Sequence, residues 1–573
     1  MNILSIFKKE IFNIVLKNSD TLGLSGDISD KGIQVDLAPE KFDCDLSTNI
    51  AMVLVKFQSN DQSFFNENLK KLLLNNIKDF EKIEIAGAGF LNITLKKSII
   101  YEITRKIFID KKNYGSNNSN KKVNIEFVSA NPTGPLHVGH CRGAVLGDVL
   151  ANLLSFNKNK VTKEYYVNDY GNQIDNFVKS IYLRMREIKF GEKFKVENDL
   201  YPGEYIKDIA QHIIGNIKID FQDYKKSFNI IKSYSLDYSI NEIKKDLKIL
   251  GISHDIFVHE NELVNKKLVE KSITNLKNSN FIKEGYLEPP KGEEKKNWKK
   301  TKKLLFKSSL FGDDRDRALQ KDDGSWTYFA NDLAYHNDKI SRKFDILINI
   351  LGADHTGYIK RISAAVKALS NNKTILNCKV SQLVKLYKDG KPFKMSKRSG
   401  EFITLRDLQK EVSKDSIRFM MLNRSNDMEL DFDFNKVVEK TKDNPVFYVQ
   451  YAQARINSIF RTLKKDINQE FKLKVDKFNL NIYEKKIIRK VFEWPTIIEI
   501  ASNKYEPHRL TFYLYELATL FHTYWSKGNE SDNFKILKKD KINRESALVV
   551  IQLLSIVINN GMKILGVSLP KKM

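Results

Sequence analysis

Asn131-Pro132-Thr133-Gly134-Pro135-Leu136-His137-Val138-Gly139-His140 joins two segments of different period. Before it, Val123-Asn124-Ile125-Glu126-Phe127-Val128 reads as a strand. After it, Val145, Leu146, Val149, Leu150, Leu153 and Leu154 recur at helical spacing. Strand, Pro/Gly loop and helix in that order predict a unit of an α/β fold whose parallel sheet binds ligands at its strand carboxyl ends. Two imidazoles stand at the mouth of the helix. Helix N-termini draw anions through free N–H groups and the macrodipole, and imidazoles add donors that follow charge onto phosphate oxygens. Gly139 removes a side chain where a flat base would approach the backbone. This reads as a nucleotide site, although on spacing alone surface or core histidines, or metal ligands, are the stronger readings of an HxxH.

Far downstream, Lys394-Met395-Ser396-Lys397-Arg398-Ser399-Gly400 crowds cations into a loop. A hairpin signal, Lys388-Asp389-Gly390-Lys391, precedes it, and the apolar-alternating run Val380 to Leu386 precedes that. A solvated basic turn is the plain reading. Paired with the histidine loop, it suits a polyphosphate.

In this order, HVGH and KMSKR resemble the HIGH and KMSKS signatures of class I aminoacyl-tRNA synthetases. The surrounding residues are similar to those of the arginyl-tRNA synthetase family. They include Glu126-Phe127-Val128-Ser129-Ala130-Asn131-Pro132-Thr133-Gly134-Pro135, Asn168-Asp169-Tyr170-Gly171-Asn172-Gln173 and Tyr328-Phe329-Ala330-Asn331-Asp332-Leu333-Ala334-Tyr335-His336. Further on come Gly352-Ala353-Asp354-His355-Thr356-Gly357-Tyr358, the stretch Asn444 to Ile456, and the terminal Gly566-Val567-Ser568-Leu569-Pro570. The likeness runs collinearly from about Val123 to the C-terminus. Many members of the family have a degenerate second signature, whereas this chain keeps both lysines and carries Arg398 where Ser is common.

The resemblance implies a ligase that joins L-arginine to tRNA(Arg) through an arginyl-adenylate made from ATP, with Mg²⁺ bridging the phosphates. His137 and His140 would stabilise the α-phosphate, and Lys394 and Lys397 the β- and γ-phosphates. Gly139, Gly352, Asp354, His355, Met395 and Ser396 would bind ATP. Glu126 and Asn131 would hold the main-chain end of arginine, and Tyr328 and Asp332 its guanidinium. From the residues alone, Asp332 shares a helix face with Tyr328, and a cap or surface ion pair is the plain alternative. A buried carboxylate site rejects neutral analogues by leaving its own charges unpaired, so no editing domain is required. The alternatives are a sibling class I synthetase, a small-molecule nucleotidyltransferase of the same superfamily, or a non-catalytic tRNA-binding relative. The Tyr328/Asp332 segment speaks against the first, the flanking modules against the second, and the intact signatures against the third.

At 573 residues the chain should hold several domains of about 100–200 residues. Its net charge of +25 suits a polyanionic partner, although lysine is abundant everywhere and composition bias accounts for part of it. Cys44, Cys141 and Cys378 are too scattered for a thiolate zinc site or a disulfide framework, which predicts a cytoplasmic protein with no resident metal. The longest apolar stretch, Ala547 to Ile558, holds Gln552 and Ser555 and falls short of the ~18 residues of a membrane span. A monomer that binds neither membrane nor DNA is expected.

Three blocks follow. Residues 1–118 read as a small α+β module ending in a Ser/Asn-rich linker; resemblance implies contact with the tRNA elbow near the D loop, against a scaffolding or dimerisation role. Residues 119–440 read as a Rossmann-type catalytic domain with a lysine-rich helical insertion over about 175–305. Residues 441–573 read as a helical bundle, which resemblance makes anticodon-binding. There Tyr451 and Arg455, with Tyr505, His508 and Trp525, are the candidates for stacking on bases.

Overall fold

The computed structural model describes residues 2–58, 61–195, 197, 199–287, 301–393, 403–470 and 472–573. Their contacts divide into two units, one of residues 118–438 and one joining residues 1–117 to 439–573.

The first unit is built on β1 (Lys122–Glu126), α1 (Val138–Phe156), β2 (Lys160–Val167), β3 (Ile256–His259), α2 (Tyr328–Ser341), β4 (Ile346–Gly352), α3 (Ile359–Ser370) and β5 (Ile375–Ser381). Among the described residues these strands form one parallel sheet in the order β5-β4-β1-β2-β3. Val123, Ile125, Leu347 and Ile348 are buried, as a sheet covered on both faces demands. From β1 the chain builds outward to β2 and β3, then returns to add β4 and β5 on the other side. The strand order therefore reverses between β1 and β4, the point where such sheets open a crevice at their carboxyl ends. The HVGH loop leaves β1 there.

The insertion is helical, as read: Asn172–Phe190, Glu204–Asn216 and Tyr224–Ile249 share a core of Ile174, Phe177, Ile206, Ile213 and Ile231. It also supplies the edge strand β3, which the sequence reading did not isolate. The run Val380 to Leu386 proves to be two strands in two sheets. β5 ends at Ser381, and Val384–Lys388 pairs antiparallel with Lys391–Pro392 and parallel with Leu430–Asp433. The hairpin signal holds: Asp389 (φ 54°) and Gly390 (φ 70°) take the successive left-handed conformations of a tight two-residue turn. The basic segment 394–402 lies outside the described residues.

In the second unit, Val35–Leu37, Leu46–Thr48, Phe90–Leu95 and Phe80–Ala86 make an antiparallel sheet in that order, backed by helices Ile3–Lys17 and Gln62–Asn76. Helices Pro445–Thr462, Ile482–Lys504, His508–Glu530 and Lys541–Leu565 pack as a bundle. The first and third blocks meet here through buried polar ties. Trp494 Nε1 donates to the Tyr114 carbonyl at 2.9 Å, and Arg489 pairs with Asp45 at 2.7 Å. The last helix extends the apolar run read from the sequence to a membrane-spanning length, yet 83% of its most apolar window is buried inside the bundle.

Candidate functional site

The first signature caps its own helix. His137 is the N-cap of α1; its Nδ1 accepts the Gly139 N–H at 3.1 Å, and His140 Nδ1 accepts the His137 N–H at 3.3 Å. Because both Nδ1 atoms are acceptors, the neutral rings carry their protons on Nε2. Burial lowers the affinity of both rings for a second proton, and in His140, which also feels His137, it does so to about 4. A Cβ on residue 139 would lie 2.8 Å from His137 Cε1, so the glycine is demanded first by the neighbouring imidazole. The amides expected to be free for an anion are largely spent: Val138 N–H donates to the Ile403 carbonyl at 3.0 Å and Gly139 N–H to His137. The His140 Nε2–H group and the helix dipole remain.

That first bond belongs to a stem. Residues 403–405, which follow the basic segment, run antiparallel to 136–138: Leu405 N–H donates to the Leu136 carbonyl at 2.9 Å, and Thr404 bridges His137. Lys394, Met395, Ser396 and Lys397 themselves lie outside the described residues.

A cluster of carboxylates lies along β1 and β2, under α2. This helix has two faces. Phe329, Ala330, Leu333 and Ala334 pack in an apolar cluster with Ile362 and Ala365 of α3. Asp332, Tyr335, His336, Lys339 and Arg342 recur on the other face and turn to the sheet. Each has a partner there. Asp332 Oδ2 accepts the Tyr358 hydroxyl, and Tyr335 donates to Glu164 at 2.7 Å. His336 meets Asn349 at 2.9 Å, and Arg342 binds Glu164 through two bonds of 2.6 and 3.0 Å. Lys339, fully buried, reaches Glu126 Oε2 at 2.5 Å and Asn349 Oδ1 at 3.2 Å.

Glu126 is held on its other oxygen too. Val128 (φ 70°) and Ser129 (φ 39°) are left-handed, a costly conformation that brings Ser129 Oγ to Glu126 Oε1 at 3.1 Å and lets it accept the Tyr166 N–H. Tyr166 bonds Glu260, whose other partner is Asn331 Nδ2 at 2.8 Å. Burial, eased by the Tyr358 hydroxyl but reinforced by the charge of Glu126, pushes Asp332 up to about 6. Burial, eased by Asn331 and reinforced by Asp332, pushes Glu260 up to about 7. Glu164 is the contrast: burial would raise it, but the Arg342 guanidinium overcomes that and holds it down to about 2. Glu164 is thus a satisfied ion pair, whereas Glu126, Asp332 and Glu260 crowd one another around Tyr166. Such a pocket attracts a cation that can bring several N–H donors.

The structure thus brings Glu126 and Asp332 together, and Asp332 is neither the cap nor the surface ion pair of the plain reading. Tyr328 stands at the rim, 73% exposed, in the first turn of α2. Asn131 is exposed and donates to Gln173 Oε1 at 3.1 Å. Gly352 ends β4, where a Cβ would lie 2.7 Å from Asp354 Oδ1; Asp354 and His355 form an exposed pair at 3.4 Å. Sequence reasoning missed Glu260, Lys339 and Tyr166. A signal for Lys339 existed, since it follows Asp332 by seven residues on the same face.

In the second unit, Arg455 donates to the Tyr451 hydroxyl at 2.8 Å, and its guanidinium lies 4.3 Å from the Tyr451 ring and 5.3 Å from that of Trp525. Tyr505 instead caps the C-terminus of Ile482–Lys504, and His508 is the first residue of the helix His508–Glu530.

Comparison with known proteins covers the whole chain. The family described as tRNA synthetases class I (R), catalytic domain, matches residues 103–462. The arginyl-tRNA synthetase N-terminal domain matches 2–95, and the DALR anticodon binding domain 449–573. The chain is 50% identical to an arginine–tRNA ligase of Pelagibacter ubique over the full length of both. It is 44% identical to that of Wolbachia pipientis wMel, over 98% of this chain and 99% of the relative. Its fold is similar to Thermus thermophilus arginyl-tRNA synthetase, with a TM-score of 0.74 at 18% identity over 99% of this chain and 100% of that one. It is also similar to the Plasmodium falciparum enzyme, with a TM-score of 0.73 at 18% identity over 100% and 99%.

Proposed function

Since the chain belongs to the arginyl-tRNA synthetase family, we propose that the carboxylate pocket under α2 is where it selects arginine and that the HVGH helix start is where it activates it. The protein is an arginine–tRNA ligase: it makes arginyl-adenylate from ATP and arginine, then transfers the arginyl group to tRNA. The observation that carries the site reading is the convergence of Glu126, Asp332 and Glu260, two of them raised by burial and mutual repulsion. The guanidinium, with its planar fork of donors, pairs with Asp332 and Glu260 under the Tyr328 ring. The α-ammonium goes to Glu126 and Asn131.

The arginine carboxylate then attacks the α-phosphorus in line, and pyrophosphate leaves. Positioning and charge stabilisation supply most of the acceleration in such a step. Neutral His137 and His140 donate from Nε2 to the α-phosphate oxygens as their charge grows. Lys394 and Lys397 neutralise the β- and γ-phosphates, Met395 and Ser396 line the nucleotide, and Gly352, Asp354 and His355 border the adenosine. ATP enters as its magnesium complex.

Residues 1–118 contact the tRNA elbow, and residues 441–573 read the anticodon through the Tyr451–Arg455–Trp525 group. The free-standing location is the cytoplasm and the working form a monomer, without membrane or DNA partners. Citrulline, the neutral isostere of arginine, tests the pocket: in the presence of ATP and tRNA it should fail to compete with arginine at a hundredfold excess, which is about 3 kcal/mol of discrimination. Competition near the arginine concentration would reject recognition by charge.

A further inference from the structure

Lys339 is a fully buried ammonium that the reaction as described does not use. Burying a lysine costs several kcal/mol unless it is paired and hydrogen-bonded. Here it has Glu126 Oε2 at 2.5 Å, Asn349 Oδ1 at 3.2 Å, and the face of Tyr335 with its centroid 4.3 Å away. Packing alone does not explain its place. It shares the polar face of α2 with Asp332, and its charge acts on that carboxylate as well as on Glu126.

Arginine brings an ammonium and a guanidinium to Glu126, Asp332 and Glu260, while its own carboxylate is the reacting group. The pocket therefore has one more negative charge than the bound side of the substrate can neutralise. We propose that Lys339 is a positioning residue that supplies the missing charge: it locks Glu126 together with Ser129, keeps the Glu126 and Asp332 carboxylates from repelling one another, and so sets the affinity for arginine. This rests on the reading that Glu126 and Asp332 hold the amino acid.

The groups that face this pair are known from every side. Glu126 comes from β1, Glu164 and Tyr166 from β2, and Cys378 from β5, all interacting electrostatically with Glu126, Asp332 or Lys339. Tyr335 and His336 come from α2 itself, Tyr358 and His355 from the turn after β4, and Glu260 from the helix after β3. Lys339 lowers Asp332, so its removal should raise Asp332 further and require higher pH to ionise it.

The test is Lys339→Met in arginine-dependent ATP–pyrophosphate exchange with tRNA present. KM for arginine should rise by about tenfold or more and KM for ATP stay within about twofold, as loss of amino-acid binding alone requires. The acid limb of kcat/KM for arginine should move to higher pH. In a Glu126→Gln background the same substitution should cost little more, because its main partner has lost its charge. Losses that add, with an unmoved acid limb, would reduce Lys339 to a packing residue and overturn the proposal. A Glu126→Gln enzyme with unchanged arginine KM would instead overturn the reading beneath it. If Lys339→Met does not fold, Lys339→Arg keeps the charge and should leave the acid limb in place; a moved limb there counts against the proposal.

Discussion

His140 Nδ1 accepts the backbone N–H of His137, at 3.3 Å, so the ring that closes the cap is also the ring whose Nε2–H is left for a ligand. Cap and donor can therefore be separated by substitution. His140→Asn keeps an acceptor near the Nδ1 position and removes the Nε2–H. It should lower kcat for adenylate formation by about 10²–10³, with both KM values nearly unchanged, as loss of a transition-state donor does. His140→Ala also loses the cap, and thermal melts should show it about 1 kcal/mol less stable than His140→Asn.

Protonation of the histidines does not govern the pH profile above pH 6, because His140 is pushed down to about 4 and His137 is lowered too. The governing groups are Asp332, at about 6, and Glu260, at about 7. Below those values the pocket is partly protonated and arginine meets neutral carboxyls. Arginine kcat/KM should rise with pH through 5.5–7.5 and then level. Calorimetry in two buffers of different ionisation heat should detect proton release on arginine binding at pH 6 and almost none at pH 8.5.

The same shifts predict a trade of stability against function. Glu260 binds its proton more tightly folded than unfolded, so its contribution to stability is present at low pH and is lost as pH rises through about 7. Glu260→Gln removes that loss. At pH 8 it should melt higher than the parent, by an amount on the order of 2–3 kcal/mol, with a much smaller gain at pH 5. Its arginine KM should rise by about tenfold or more.

Gly147 of α1 packs on Phe127, next to Glu126, where an added Cβ would fall 2.2 Å from the ring. Gly147→Ala should destabilise the protein by about 1–3 kcal/mol in urea titration, as overpacking does. Because Phe127 leads directly from Glu126 into the left-handed turn, arginine KM should rise more than ATP KM.

Arg455 lies against the Tyr451 and Trp525 rings and donates to the Tyr451 hydroxyl. Arg455→Ala should weaken tRNA binding in filter assays by about tenfold at moderate salt, and reduce the salt dependence as a lost phosphate or base contact would.

Much of this was legible from residues alone. The strand–loop–helix around His137, the strand ending at Gly352 and the turn at Asp389-Gly390 each carried period or turn chemistry that survives folding. β3 was not legible, because Ile256-Phe257-Val258-His259 is a short edge strand inside a helical stretch. The break at Gln382–Leu383 was missed because alternation continues across two strands of different sheets. Asp332 was found through its motif, yet Lys339 was not: in a lysine-rich chain, burial is what distinguishes it, and burial is a property of the fold. The ties of Trp494 to Tyr114 and Arg489 to Asp45 join positions hundreds of residues apart, which local patterns do not reveal.

The central claim is that paired carboxylates under α2 select arginine for attack on ATP. The most direct measurement is ATP–pyrophosphate exchange with each amino acid in turn, with tRNA present, for the parent and for Asp332→Asn. Exchange with arginine alone, and its loss at neutral pH in Asp332→Asn with ATP binding intact, is the predicted result. Exchange with a different amino acid, or undiminished arginine exchange in Asp332→Asn, would contradict it.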